Sequence, residues 1–149
     1  MCAKKRLNGL NSEVIIDVYD AKFDINNADE LVKKYDVIVD GCDNFETRYL
    51  LNDTCVKHNK PYVFGAISEF SGQASVFNYK GGATYRNLFP DEKKFQTLVG
   101  GVIGVLPGII GNIEANEVIK IITETGEILS NKLFSINLLT MEVNVFDIR

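Results

Sequence analysis

The feature that most limits what this chain can fold into is an alternation of strand-like and helix-like segments over residues 11–67. Residues 14–19 (VIIDVY) are β-branched and aromatic, as strands prefer. Asn27, followed three positions later by Glu30, predicts a capping box and a short helix through residue 34. Residues 36–40 (DVIVD) predict a nearly continuous apolar strand of the kind buried on both faces. Asp43 and Glu46 open a second helix that runs to His58, before Lys60-Pro61 stops it. Residues 62–67 (YVFGAI) are a third strand. Strand, helix, strand, helix, strand at such short spacing implies right-handed crossovers and a parallel sheet.

The second half changes period. Residues 73–79 alternate apolar and polar, ending at the turn signal Lys80-Gly81-Gly82. Residues 83–100 show no periodicity and read as a long loop, a class of segment that is usually functional or disordered. From residue 101 to 123 the chain is apolar and punctuated by glycine, becoming amphipathic from Ile109. Gly104, Gly108, Gly111 and Ala115 form a smooth stripe against which another helix or backbone can pack. Pro107 kinks this helix or marks its first turn. Residues 132–136 and 142–148 predict a terminal hairpin around residues 138–140. The fold class expected is α/β, a Rossmann-like, mostly parallel sheet extended by antiparallel strands. Its 149 residues make one domain, 1–149.

Charge and cysteine usage narrow the function. Sixteen basic against twenty acidic residues leave a net charge of −4, and no basic block extends beyond Lys4-Lys5-Arg6. No stripe that neutralises phosphates is legible, so no nucleic-acid partner is expected. No apolar run approaches the length of a membrane span, and Lys4-Lys5-Arg6 leads into no apolar signal core, so no membrane association is expected either. Cys2, Cys42 and Cys55 contain no C-x-x-C pair. They read as free thiols in a reducing, cytoplasmic compartment, and no zinc is expected.

The pentapeptide Asp40-Gly41-Cys42-Asp43-Asn44 stands where a strand hands over to a helix, the carboxyl edge at which open α/β sheets bind ligands. Asp43 there suits Mg²⁺, which takes few protein carboxylates alongside substrate phosphates, and equally suits the cap of the next helix. Arg48, one turn further on, is placed to reach a phosphate or to pair with neighbouring carboxylates. Cys55 and His58 share a helix face, but two ligands make no metal site. Cys42 has Asp40 and Asp43 beside it, which raise rather than lower a thiol pKa, so both helical cysteines read as structural. Neither G-x-G-x-x-G after a strand nor G-x-x-x-x-G-K-[ST] occurs, leaving no legible phosphate cradle.

Three ordered stretches resemble the ThiF/MoeB family of adenylyltransferases, relatives of the ubiquitin-activating enzymes. Asp40-Gly41-Cys42-Asp43-Asn44-Phe45-Glu46-Thr47-Arg48, followed by Asn52, fits the family's D-x-T-D-N-x-x-T-R-x-x-x-N. Phe70-Ser71-Gly72-Gln73 fits its F-x-G-Q turn. Gly104 to Gly111, with Glu114 to Lys120, fits its G-x-x-P-G-x-x-G-x-x-Q-A-x-E-x-I-K helix. The likeness spans nearly the whole chain, and the thiamine-type members look most similar. The resemblance implies ATP–Mg²⁺-dependent adenylation of the C-terminal Gly-Gly of a ubiquitin-like sulfur-carrier protein. It places Asp43 on the family's Mg²⁺/ATP aspartate, Phe23 near the adenine-binding segment, and Asn44 and Arg48 beside the nucleotide.

This sequence also departs from the family pattern. The glycine-rich nucleotide loop, the acidic ribose contact and the phosphate-clamping arginine and lysine have no counterpart here. Residues 1–10 resemble the tail of the helix that follows them. Zinc-bearing members have C-x-x-C where this chain has Thr84-Tyr85-Arg86-Asn87, and the loop cysteine that links to the carrier in some members falls near Thr97. The resemblance therefore implies the carboxyl-terminal part of a ThiF-like enzyme, inactive as this fragment and associating as a homodimer through its glycine-striped helix. The alternatives are a non-catalytic docking or dimerisation module for a ubiquitin-like partner and, more remotely, a dinucleotide-dependent oxidoreductase remnant.

Overall fold

A single five-stranded sheet organises the chain, in the order β1-β2-β3-β4-β5, with strand neighbours that are also neighbours in sequence. The computed structural model describes residues 2–90 and 100–148, apart from the Cys2 side chain. Its elements are α1 (Cys2–Leu10), α2 (Ala28–Lys33), β1 (Ile38–Val39), α3 (Phe45–Lys57), β2 (Tyr62–Ser68), β3 (Ser71–Phe77), α4 (Tyr85–Leu88), α5 (Leu106–Thr123), β4 (Lys132–Asn137) and β5 (Glu142–Asp147). β1 pairs with β2 in parallel across the α3 crossover, with Ile38 opposite Tyr62. Every later ladder is antiparallel. The expected α/β sheet, parallel at its start and extended by antiparallel strands, is present.

α3 forms because Asn44 caps it: the Asn44 side chain accepts a hydrogen bond from Thr47 N at 2.8 Å. The cap is thus one residue later than the Asp43 expected from spacing. The helix stops at His58, ahead of Lys60-Pro61, as its stop signals imply. α5 starts with Pro107 in its first turn, where a missing N–H costs nothing, so the proline opens the helix rather than kinking it. β2 and β3 meet in a two-residue turn, Ser68 pairing with Ser71.

Four expectations are corrected. Residues 14–19 form no strand; Ile15 is 90% exposed, because no described strand lies beside the segment to complete a ladder. The strand expected over 36–40 is reduced to Ile38–Val39. It is an edge with one neighbour, and Val39 is 47% exposed, so it is not buried on both faces. Asn27 precedes α2 without a side-chain cap. Its amide instead accepts from Asp24 N and donates to Lys22 O, stapling the preceding loop, while Glu30 pairs with Lys34. Finally, the long loop over 83–100 contains α4, whose capping box is Thr84 with Asn87.

One core lies between the sheet and α3–α4, and it is aromatic. Tyr85 is fully buried at its centre, with ring centroids 4.8 Å from Phe89, 5.1 Å from Tyr49, 5.5 Å from Phe64 and 5.7 Å from Phe77. Edge-to-face and tilted rings of this kind add about 0.5–1.5 kcal/mol per pair beyond the area they bury. A smaller core on the other face holds Leu106 and Ile110 of α5 against Ile136. Two glycines let α5 approach that closely. A Cβ on Gly72 would lie 2.6 Å from Ile110 Cδ1, and one on Gly65 would lie 2.5 Å from Glu114 Cδ.

Candidate functional site

β1 ends by delivering Asp40 into a buried position, and the chain then turns through Gly41-Cys42-Asp43 into α3. That turn is the carboxyl edge of the parallel pair, where α/β sheets bind ligands. A cleft of about 840 Å³ opens there, lined among others by Asp40, Asp43, Arg48, Tyr85 and Glu114. Loop residues Gly100 and Val102 and the start of α5 form its far side. Its volume is that of a small-molecule or peptide site.

Asp40 anchors the near wall. Its carboxylate accepts from Arg48 Nε at 3.0 Å, Tyr62 Oη at 2.9 Å and Cys42 N at 2.7 Å. Arg48 Nη2 donates in turn to the carbonyls of Cys42 at 2.7 Å and Gly65 at 3.3 Å, and the guanidinium lies 5.6 Å from the Phe64 ring. A buried ion pair contributes little net stability. Removing one partner, however, strands the other charge at a cost of about 3–5 kcal/mol. The arrangement holds the turn that carries Asp43. Arg48 is thereby a buried wall of the cleft rather than a solvated surface arginine, with Nε and Nη2 already engaged.

Asp43 is exposed at the rim, and among the described residues its side chain is held by Asn44 Nδ2 at 3.1 Å. Asn44 therefore caps α3 with its oxygen and steadies Asp43 with its nitrogen. Among the described residues no group of three His, Cys, Asp or Glu side chains could enclose a metal ion. One free carboxylate facing a ligand-sized cleft is still the donor set that Mg²⁺ uses with a phosphate ligand, since the ion keeps most of its water. Asp43 fits that role.

The remaining sequence candidates lie elsewhere or serve structure. Phe23 packs against the aromatic core and does not line the cleft. His58 Nε2 sits 2.6 Å from Asp29 Oδ1, away from Cys55, which is wholly buried; burial pushes the Cys55 thiol up to about 12. Burial, and secondarily Asp40, pushes Cys42 up to about 12, so neither Cys42 nor Cys55 is a thiolate at neutral pH. At the positions where a zinc pair would stand, Thr84 and Asn87 cap α4, and Arg86 forms a two-pronged pair with Asp53 at 2.6–2.7 Å. Thr97 lies outside the described residues.

Sequence reasoning missed two cleft residues. Tyr85 Oη and Glu114 Oε1 are buried atoms with no hydrogen-bond partner among the described residues. Both residues line the cleft. Burial, then the nearby Asp40 charge, pushes the Glu114 carboxyl up to about 7, and burial raises Tyr85 above its usual range. The signal for Glu114 was present: a glutamate at the family's glutamine, four residues after a core-facing Ile110. Tyr85 gave none, because the loop that bears it has no period.

A mixed sheet with a ligand-sized cleft at the carboxyl end of its parallel strand places the chain in the α/β class. The chain belongs to the ThiF family, which it matches over residues 1–149. It is 42% identical over 151 residues to the probable molybdopterin-synthase adenylyltransferase of Pyropia yezoensis, an alignment covering 98% of this chain and 40% of that protein. It is 41% identical over 134 residues to the adenylyltransferase and sulfurtransferase MOCS3 of Dictyostelium discoideum, covering 87% and 32% respectively. The chain thus spans less than half the length of these relatives. The first is named for molybdopterin synthase and neither for thiamine, so the narrower likeness to thiamine-type members gains no support from them. In fold it matches Escherichia coli MccB, solved with ATP, at a TM-score of 0.79 with 18% identity, over 97% of this chain and 46% of that one. MccB solved with selenomethionine MccA gives a TM-score of 0.80 at 17% identity, over 97% and 46%. No helix among the described residues is long and apolar enough to cross a membrane.

Proposed function

We propose that this chain supplies one wall of an ATP-dependent adenylyltransferase site acting on the C-terminal carboxylate of a ubiquitin-like sulfur-carrier protein. The observation that carries the reading is the exposed Asp43 carboxylate at the rim of the cleft, on a turn fixed from behind by Asp40 and Arg48. Membership of the ThiF family and the names of its relatives support the reaction class. Asp43 would hold Mg²⁺, which would offset triphosphate charge; the carrier carboxylate attacks the α-phosphorus, the bond to the β-phosphate breaks, and pyrophosphate leaves. Asn44 orients Asp43, and Arg48 adds positive potential to the wall while its hydrogen bonds hold the Cys42 carbonyl in place. The apolar lining, including Phe45, Phe64 and Phe89, excludes water from the acyl adenylate, which water would hydrolyse. Phe23, outside the cleft, serves the adenine end only if the segment around it joins the nucleotide pocket.

The same reading makes the protein a homodimer. Gly104 just precedes α5 and Gly108 and Gly111 lie on it, and a Cβ on any of them meets nothing within 4 Å, so this stripe is open to a second copy.

The test is ATP–pyrophosphate exchange with a Gly-Gly-ended carrier, using this chain alone and this chain fused to the preceding segment of a relative. The fusion is expected to exchange and its Asp43→Ala variant to lose at least a hundredfold, a loss of the order seen when one transition-state charge contact is removed. Exchange that survives Asp43→Ala removes Asp43 from the machinery. Carrier binding without exchange in every form leaves the docking module as the function.

A further inference from the structure

The cleft floor holds two carboxyls in the field of one guanidinium. Asp40 takes that cation: it receives Arg48 Nε, Tyr62 Oη and Cys42 N, a full set of donors for an ionised carboxylate. Glu114 receives none from the described residues. It is nine-tenths buried, its Oε1 has no partner among the described residues, and its carboxyl lies over Gly65, where a side chain would collide with it at 2.5–2.7 Å. An unpaired buried carboxylate is unfavourable, whereas the neutral acid carries an O–H that needs an acceptor. A group so placed, lining a cleft that also holds the orphaned hydroxyl of Tyr85, is built to meet a ligand oxygen.

Resting on the reading of the cleft as the seat of a carboxylate-ended polypeptide tail, we propose that Glu114 is a specificity-determining residue of that cleft. Its carboxyl O–H donates to an oxygen of the tail's terminal carboxylate, and its own ionisation repels that carboxylate.

The groups around Glu114 are consistent with this. Asp40, just past β1, opposes its ionisation, and Arg48, on α3, favours it; Asp40 is the larger influence. Asp43 stands at the rim, and α4 contributes Tyr85. β2, β3 and β4 bring Gly65, Gln73 and Ser135 to the lining and no charge. On α5 itself, Glu117 is committed to Leu129 N and Lys120. With Glu114 pushed up to about 7, the switch falls near neutral pH. The family's glutamine at this position would hold the same shape with no charge to gain.

The test uses a fluorescent peptide ending in Gly-Gly with a free carboxylate, and the same peptide ending in a carboxamide. Binding anisotropy is read at about pH 6 and about pH 8.5. The wild-type chain is expected to bind the acid peptide about tenfold or more tightly at the lower pH, the order set by titrating one group between these values. The carboxamide peptide should show at most a twofold difference. Glu114→Gln should bind the acid peptide equally at both pH values, near the wild-type strength at the lower one. Gly65→Ala, which pushes the carboxyl aside without deleting it, should weaken binding at the lower pH, and it serves as the second variant if Glu114→Gln does not fold. A fall with pH that persists in Glu114→Gln, or is equal for the two peptides, overturns the proposal and leaves the tail site standing. No binding by any form at either pH overturns both.

Discussion

Asp40 and Glu114 carry the same functional group in the same corner of the fold, and their neighbours treat them oppositely. Three donors satisfy Asp40; Glu114 has none among the described residues. The consequence for stability follows from linkage. Glu114 is raised from 4.5 to about 7 in the folded chain, so the native state holds its proton over a range where the unfolded chain has lost it. Its contribution is full below about pH 4.5 and disappears as pH rises through about 7. The ceiling of this effect is roughly 3 kcal/mol, since one pKa unit corresponds to about 1.4 kcal/mol. Urea unfolding at pH 5 and pH 8 should show the wild type losing up to that amount more than Glu114→Gln. Equal losses in the two would mean that Glu114 is solvated in the native state. The contrast was not legible from residue types. Both are acids at motif positions, and only the third dimension shows which one the donors reach.

Among elements, α5 shows how much depends on where a helix lands. Pro107 left a kink and a first turn both open, but the helix's end and the terminal hairpin β4–β5 were readable from the hydrophobic pattern and turn signals. Which of the nearby glycines are close-packed was not. The stripe on α5 faces open space, while the crowded glycines belong to the strands beneath. Gly72→Val should therefore drive its Cβ into Ile110, 2.6 Å away, and lift the helix from β3, at a cost of about 1–3 kcal/mol in denaturant unfolding. Gly108→Ala, which meets nothing, should be neutral or stabilise by up to about 1 kcal/mol. If the two changes cost the same, α5 does not pack on β3 as described. α2 and α3 were found at their expected places, but their caps shifted. Asn27 had a better use in its own loop, and Asn44 rather than Asp43 had the geometry to reach an N3 amide.

For the whole molecule, β5 is an edge strand exposed along its length, with Val143, Val145 and Phe146 each more than half exposed. A bare apolar edge is a template for association, and the proposed homodimer through α5 adds a second surface. Sedimentation velocity should show a species of twice the chain mass at micromolar concentration, shifted toward monomer by Gly108→Leu on the open stripe. A monomer at all concentrations would remove dimerisation from the proposal.

Local rules alone settled that this is an α/β chain, where α3 begins to within a residue, that β4 and β5 form a terminal hairpin, and which turn bears the candidate aspartate. Each of these depends on neighbours a few residues apart, where hydrophobic period, caps and turn residues act directly. Three outcomes depended on long-range packing: residues 14–19 remained without a strand partner, Tyr85 from an aperiodic loop became the centre of the core, and Glu114 was left without a donor. Strand pairing, ring packing and the pairing of buried charge all join residues far apart in sequence, so no window along the chain contains both partners.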